Sequence, residues 1–81
     1  MALKARVTVS LKPGVLDAQG KAVAGALTEL GFPGVREARV GKVIELDLDA
    51  DDRAAAEASV KAMCDKLLAN SVIENYRIEI A

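Results

Sequence analysis

The chain opens with an uninterrupted alternation of apolar and polar residues. Across residues 3–12, every odd position is apolar and every even position is polar. A period of two over ten residues is typical of a strand with one buried face. The sequence therefore predicts a first strand. Pro13 and Gly14 end it, because proline lacks the N–H that a strand ladder needs.

A helical spacing of apolar residues follows this turn. Val23, Leu27 and Leu30 are spaced i, i+4 and i+7, so we expect a helix that buries this face. Asp17 is a suitable N-cap, because its carboxylate can accept the free N–H groups of the first helical turn. Gly31 is placed to end the helix at the C′ position.

Two further strands are predicted after this helix. Residues 35–40 form a short and less regular pattern, whereas residues 43–49 alternate cleanly between Ile, Leu, Leu and acidic positions. The link Gly41-Lys42 between them is short and contains glycine. This arrangement predicts a β-hairpin.

A second helical pattern runs from Asp51-Asp52 to about Ala69. Two acidic residues suit a helix N-terminus, through capping and through the helix dipole. The apolar stripe consists of Ala56, Val60, Met63 and Leu67, widened by Cys64 and Leu68. Asn70-Ser71 breaks the pattern, and residues 76–80 alternate again, which predicts a last strand.

The element order is therefore βαββαβ, in one domain spanning residues 1–81. Short connections and right-handed crossovers favour an α+β, ferredoxin-like antiparallel sheet with both helices on one face. This topology places the first strand antiparallel to residues 43–49. It brings basic side chains near acidic ones on the outer face: Lys4 and Arg6 near Asp47 and Asp49.

The outer face of the predicted sheet is polar and has no helix left to cover it. Such a face either stays wet, as is common in antiparallel sheets, or packs on another subunit. The unpaired strand edges offer a second route to a dimer. We therefore expect dimerisation through the sheet edges or through this open face.

Composition narrows the possible functions. The 81 residues carry 11 basic and 12 acidic side chains, a balance that argues against binding to nucleic acid or to a membrane surface. No apolar run approaches the roughly 18 residues that span a bilayer. Lys4 and Arg6 interrupt the first apolar residues, so no signal peptide is predicted and we expect a cytoplasmic location.

Residue chemistry predicts no catalytic, cofactor or metal site. The chain has no histidine, and its one cysteine, Cys64, lies on the apolar side of a predicted helix, as a buried structural thiol would. The acidic residues follow from a strand face and a helix start, and a hard cation needs converging oxygens. They are Glu45, Asp47, Asp49, Asp51 and Asp52.

Two loop segments are ambiguous on chemistry alone. Residues 12–20 have some features of an anion site at a helix N-terminus, but they lack the spacing of a P-loop. Residues 39–42 carry charges that either keep a hairpin tip soluble or dock a partner. A plain strand-to-helix turn is the favoured interpretation of the first segment.

Three separated blocks of residues match the pattern of a known family. They are Lys12-Pro13-Gly14-Val15-Leu16-Asp17 with Gln19-Gly20; Val40-Gly41-Lys42 with Ile44-Glu45-Leu46; and Met63-Cys64 with Lys66-Leu67-Leu68-Ala69-Asn70 and Val72-Ile73-Glu74. In this order, and over nearly the whole chain, they resemble the PurS family, the small subunit of phosphoribosylformylglycinamidine synthase. Ala18 and Ser71 stand where the family often has proline, and both lie in predicted turns.

The resemblance implies a non-catalytic role in de novo purine biosynthesis. The synthase of this family makes formylglycinamidine ribonucleotide from formylglycinamide ribonucleotide, glutamine and ATP. A glutaminase subunit releases ammonia, and a synthetase subunit, where ATP and magnesium are expected, installs it. The small subunit is expected to be a dimer or tetramer without a cofactor of its own. It bridges the other two subunits and assists ammonia transfer.

We predict that the two polar loop segments contact the partner subunits, because loops commonly carry function. The predicted contact residues are Lys12, Pro13, Gly14, Asp17, Gln19, Gly20, Arg39, Gly41 and Lys42. The alternative function on this topology is a small-molecule-sensing regulatory module of the ACT type, which binds its ligand at a dimer interface.

Overall fold

A computed structural model of the chain describes residues 2–81. Its elements are β1 (Ala2–Leu11), α1 (Ala18–Glu29), β2 (Lys42–Asp49), α2 (Arg53–Met63) and β3 (Glu74–Ile80). Helix α2 continues into a single π-helical turn, Cys64–Leu68. Within residues 2–81, no helix has the length and apolar character needed to cross a membrane.

Strand β1 is the centre of an antiparallel sheet with the order β2-β1-β3. The register pairs Lys4 with Asp47 and Arg6 with Glu45 on the exposed face. The charged atoms of these pairs lie 3.7 and 3.6 Å apart. The predicted α+β class and the antiparallel contact of β1 with β2 are confirmed. The acidic partners of Lys4 and Arg6 are Asp47 and Glu45, where Asp47 and Asp49 were expected.

The core lies between the apolar face of β1 and helix α2. Its largest fully buried side chains are Val7, Val9, Val60 and Cys64. Helix α2 lies over β1 and β3, and the apolar residues of β2 are only half-buried. One helix therefore covers part of the apolar face, and the side of β2 is left open.

The last turn of the second helix departs from the predicted apolar stripe. The Ala69 N–H donates to the Cys64 carbonyl at 3.0 Å, a bond that spans five residues, so this turn is wider than an α-helical turn. The extra residue rotates the following side chains about the axis. Leu67 is consequently 83% exposed, while Ala69 is buried.

Residues 35–40, predicted as a strand, pair with no strand in the described part of the chain. They run back beside α1. The Val40 N–H donates to the Asp17 carboxylate and the Arg39 side chain donates to the Lys12 carbonyl, so side-chain bonds hold the segment in place of a strand ladder. The sheet therefore has three strands. Gly41 leads from this returning segment into β2 and does not close a hairpin.

Helix α1 does not bury the predicted apolar face within its own chain. It buries only Gly20, whereas Leu30 is 73% exposed and Val23 is exposed as well. Gly31 follows the helix with a φ of +101°, as expected for a C′ glycine. We call residues 18–38, helix α1 and the segment that returns along it, the arm.

The arm makes the molecule long. The radius of gyration of the Cα atoms is 16.2 Å, and the principal axes measure 50 × 25 × 14 Å. A compact domain of this length would have a radius of gyration of about 12 Å. The fold thus has two parts: a small packed core of sheet and α2, and an arm that leaves it.

Candidate partner-contact site at the root of the arm

Asp17 lies where the arm joins the sheet. Its side chain is 7% exposed, and both carboxylate oxygens are used. Oδ1 accepts the Gly20 N–H at 2.7 Å, which is the predicted N-cap of α1. Oδ2 accepts the Val40 N–H, also at 2.7 Å. One carboxylate therefore holds the start of the arm and the residues that follow its end, because Val40 lies 23 residues after Asp17.

These donors keep the carboxylate charged. The N–H of Gly20, followed by that of Val40, lowers the pKa of Asp17, and the nearby Arg39 cation lowers it further. Partial burial opposes this shift, because it disfavours the charged form. Two backbone donors aimed at one carboxylate outweigh the loss of solvent.

Arg39 also holds the place where the arm joins the sheet, through hydrogen bonds to the turn that follows β1. Its Nη1 donates to the Val15 carbonyl at 3.0 Å, and its Nη2 donates to the Lys12 carbonyl at 3.0 Å. The same Nη2 approaches the Leu11 carbonyl at 3.4 Å. The planar guanidinium thus spans the end of β1 and the turn that follows, a geometry that suits its fixed fork of donors.

Two glycines allow the backbones to approach this closely. A Cβ placed on Gly20 would lie 2.1 Å from the Ala38 carbonyl oxygen, and one on Gly41 would lie 2.5 Å from that of Val9. Neither position can hold a side chain without a shift of backbone. The segment ending in Gly41 therefore passes directly over the first turn of α1 and the end of β1.

We call this arrangement the root cluster. Its members are the side chains of Asp17 and Arg39, the glycines Gly20 and Gly41, and the backbone of Leu11, Lys12, Val15 and Val40. It contains five of the nine predicted contact residues as groups already engaged within the chain, and one of them, Lys12, belongs to it through its backbone alone. Their direct contact with a partner stays a prediction, but the structure gives each of them an internal role.

The other four predicted residues, and the side chain of Lys12, surround the root cluster. Pro13 and Gly14 form an exposed turn, and Gln19 and Lys42 are exposed beside one open groove. The backbone of Lys12 is held by Ile73 and Arg39, so its side chain projects from a fixed point. The two loop segments that the sequence singled out separately thus form one surface.

Sequence reasoning missed the exposed apolar residues of the arm and of the turn that precedes it. Leu16 is 76% exposed and Phe32 is 57% exposed, and with Leu30 they flank the helix. The spacing of apolar residues signalled a buried face, but it could not show that the chain itself leaves this face uncovered. It also gave no sign that Arg39 bonds to carbonyls 24 to 27 residues earlier.

The candidate nucleophile Cys64 and the candidate metal-binding carboxylates lie in surroundings that a structural role explains. Cys64 is buried, and burial, followed by the charge of Asp65, raises the pKa of its thiol. The adjacent Asp65 accepts a hydrogen bond from the Tyr76 hydroxyl at 3.1 Å, which ties β3 to the π-helical turn. Within residues 2–81, no group of three or more His, Cys, Asp or Glu side chains could hold a metal ion.

The fold and the root cluster define a small α+β domain with an ordered polar loop surface and an uncovered apolar arm, which is the design of an assembly subunit. Residues 4–81 match the family model described as PurS: Phosphoribosylformylglycinamidine (FGAM) synthase. The chain belongs to this PurS family.

Relatives cover nearly the whole chain. It is 53% identical over 75 residues to the phosphoribosylformylglycinamidine synthase subunit PurS of Synechocystis sp., covering 93% of this chain and 75% of that protein. It is 49% identical over 77 residues to the Bacillus subtilis subunit of the same name, covering 95% and 90%. The match supports the first of the two functions predicted from the sequence.

Solved structures share the fold including the arm. Bacillus subtilis PurS superposes with a TM-score of 0.89 at 48% identity, covering 98% of both chains. A chain of the PurLQS structure from Thermotoga maritima gives 0.90 at 30% identity, covering 100% of this chain and 99% of that one. Because residues 18–38 are a quarter of the chain, an arm pointing elsewhere would lower these scores.

The two glycines of α1 give a matched test of the root cluster. We expect Gly20→Ala to destabilise the protein by about 1–3 kcal/mol, because its Cβ meets the Ala38 backbone. Gly25→Ala should stabilise it by about 0.5–1 kcal/mol, because nothing lies within 4 Å and alanine favours a helix. Urea unfolding of both variants measures the difference. Equal effects would show that the close approach at Gly20 does not form.

Asp17 predicts a pH-dependent stability. Its pKa is lowered in the folded protein, so its contribution is present above the unfolded value of about 4 and is lost as pH falls through the folded value. The melting temperature of the wild-type chain should therefore exceed that of Asp17→Asn at pH 7, and the gap should narrow below pH ~4. A gap that stays constant down to pH ~2 would contradict this.

Proposed function

We propose that this chain is the non-catalytic small subunit of a phosphoribosylformylglycinamidine synthase complex in de novo purine biosynthesis. In this proposal it works in the cytoplasm, bridges the glutaminase and the ATP-dependent synthetase subunits, and assists ammonia transfer between them. The chain needs no cofactor of its own, and ATP and magnesium act in the synthetase subunit. Family membership is the observation that carries this proposal.

The structure supports an assembly role in two ways. The root cluster fixes the backbone of two polar loops, so Lys12, Gln19 and Lys42 are presented together where the arm joins the sheet. Related chains have been solved both as PurS and within PurLQS with this same fold. A preformed loop surface lowers the ordering cost of binding and suits a subunit that must join two others.

We infer that the subunit is a homo-oligomer in which another copy covers the arm. Leu30 and Phe32 in the arm, and Leu16 just before it, are more than half exposed, and the apolar side of β2 is only half-buried. An 81-residue chain that leaves this much apolar surface uncovered gains stability by association. By contrast, the outer sheet face pairs its own charges, as Arg77 does with Glu79 at 3.4 Å. Covering the outer sheet face with another subunit would therefore stabilise the protein less than covering the arm.

The bridging role predicts different dependence on two nitrogen donors. With purified glutaminase and synthetase subunits, the chain should be required for product formation from glutamine. It should be needed less when ammonium is supplied, because no ammonia then has to pass between subunits. Product formation is followed with formylglycinamide ribonucleotide and ATP present. Full glutamine-dependent activity without the chain would contradict the bridging role.

A matched pair of lysine variants locates the contact surface in that assay. Lys12→Ala with Lys42→Ala should raise the concentration of chain needed for half-maximal activity about tenfold, or about 1.4 kcal/mol of binding. Lys61→Ala with Lys66→Ala removes the same charge from exposed positions on α2 and its π-helical turn, and should change little. Similar losses in both pairs would point to net charge and not to this surface.

The arm surface predicts the oligomeric state. Leu30→Glu should reduce the mass of the free subunit in light scattering, because a carboxylate cannot be buried against a second copy without a partner. Leu67→Glu is the control, since Leu67 is even more exposed but lies outside the arm. A wild-type monomer at micromolar concentration, or dissociation by both variants, would contradict the role of the arm.

A further inference from the structure

The direction of the arm depends on few contacts. Helix α1 buries only Gly20, so no apolar packing holds it against the sheet. In residues 2–81, the side-chain hydrogen bonds that join the two ends of the arm to the core come from Asp17 and Arg39. An arm without lateral packing takes its direction from its root.

We propose that Asp17 and Arg39 are positioning residues of this subunit: they set the angle of the arm to the sheet and so place the arm and its neighbouring loops for assembly. The link to assembly rests on the proposed function, while the setting of the angle does not. Direct partner contact then falls to three polar side chains around the root cluster: the exposed Gln19 and Lys42 and the half-buried Lys12.

Asp17 is suited to this role because its two oxygens accept from two different segments. Oδ1 serves the helix start at Gly20 and Oδ2 serves Val40, at the entry to β2. In an Asp17→Asn variant, one acceptor becomes an NH₂ group that faces a backbone N–H. One of the two bonds is then replaced by a donor–donor contact, and the two segments are no longer held by one group.

Arg39 is suited to it because its guanidinium reaches two carbonyls at 3.0 Å, those of Val15 and Lys12. These carbonyls lie at the two ends of the turn that leads from β1 toward α1. Lysine would keep the charge but not the planar fork, so it could hold one end only. Arg36 provides a matched control, because it is exposed on the same segment and makes no hydrogen bond or ion pair to any residue in 2–81.

The angle can be measured by distances between spin labels on Glu29→Cys in α1 and Asn75→Cys in β3, both exposed positions. The wild-type chain, whose single Cys64 is buried, is the labelling control. Labelled chains are refolded with excess unlabelled chain, so that distances within one copy dominate. We expect one narrow distribution in the parent and in Arg36→Ala. In Arg39→Ala and Asp17→Asn we expect a broadened or displaced distribution, and in Arg39→Lys an intermediate one.

Far-UV circular dichroism confirms that each variant is folded, and the packed core of β1 and α2 contains none of the substituted residues. If Asp17→Asn does not fold, Arg39→Ala decides the result. Distributions in the folded variants that match the parent would overturn the proposal. So would an equal broadening in Arg36→Ala, because this would show that any charge removed from the segment loosens the arm.

The link to assembly is tested separately in glutamine-dependent synthesis. Arg39→Ala should raise the concentration of chain needed for half-maximal rate about tenfold, with the maximal rate retained at saturation and partial rescue by Arg39→Lys. A displaced arm with an unchanged half-maximal concentration would overturn this link. If the wild-type chain itself gave no stimulation, the proposed function would fail, while the distance measurements would still decide what sets the angle.

Discussion

The structure depends on one carboxylate that accepts two backbone N–H groups from opposite ends of a long excursion of the chain. Without Asp17, the cap of α1 and the entry to β2 would be separate local events. With it, a displacement of Gly20 or of Val40 also displaces the carboxylate that both of them bond. Helix α1 has 12 residues and is about 18 Å long. A rotation of about 10° at its root therefore moves its tip by about 3 Å, enough to disturb an interface.

Stability is divided unevenly between the two parts of the molecule. Val7, Val9 and Val60 are shielded from water by the sheet and α2, and the burial of such side chains is the main favourable term in folding. The arm has hydrogen bonds at its root and little burial along its length. Regions of this kind open at lower cost than the core. The surface that the arm leaves exposed is thus both its weakness in isolation and the means by which association stabilises it.

The sequence allowed prediction of features set by near neighbours. Alternation located β1, the carboxylates of Asp17 and Asp52 marked helix starts, and Gly31 marked a helix end, all as found. It could not locate features set by distant contacts. Residues 35–40 have a strand-like pattern, but side-chain bonds from Asp17 and Arg39 hold them beside α1. Leu67 lies outside the buried stripe of the helix because of one π-helical turn, which the spacing of apolar residues does not predict.

The sequence allowed prediction of which residues form the candidate site, but not of what each of them does there. The segments around Pro13 and Gly41 were singled out because they resemble a family, and the structure does bring them together. Their roles, however, divide on physical grounds. A buried carboxylate whose two oxygens each accept a backbone N–H, and a glycine pressed against a carbonyl, hold the backbone of this surface in place. A motif can therefore identify a protein family through residues that shape a loop surface from beneath, and the side chains beside them are the ones we expect to reach a partner.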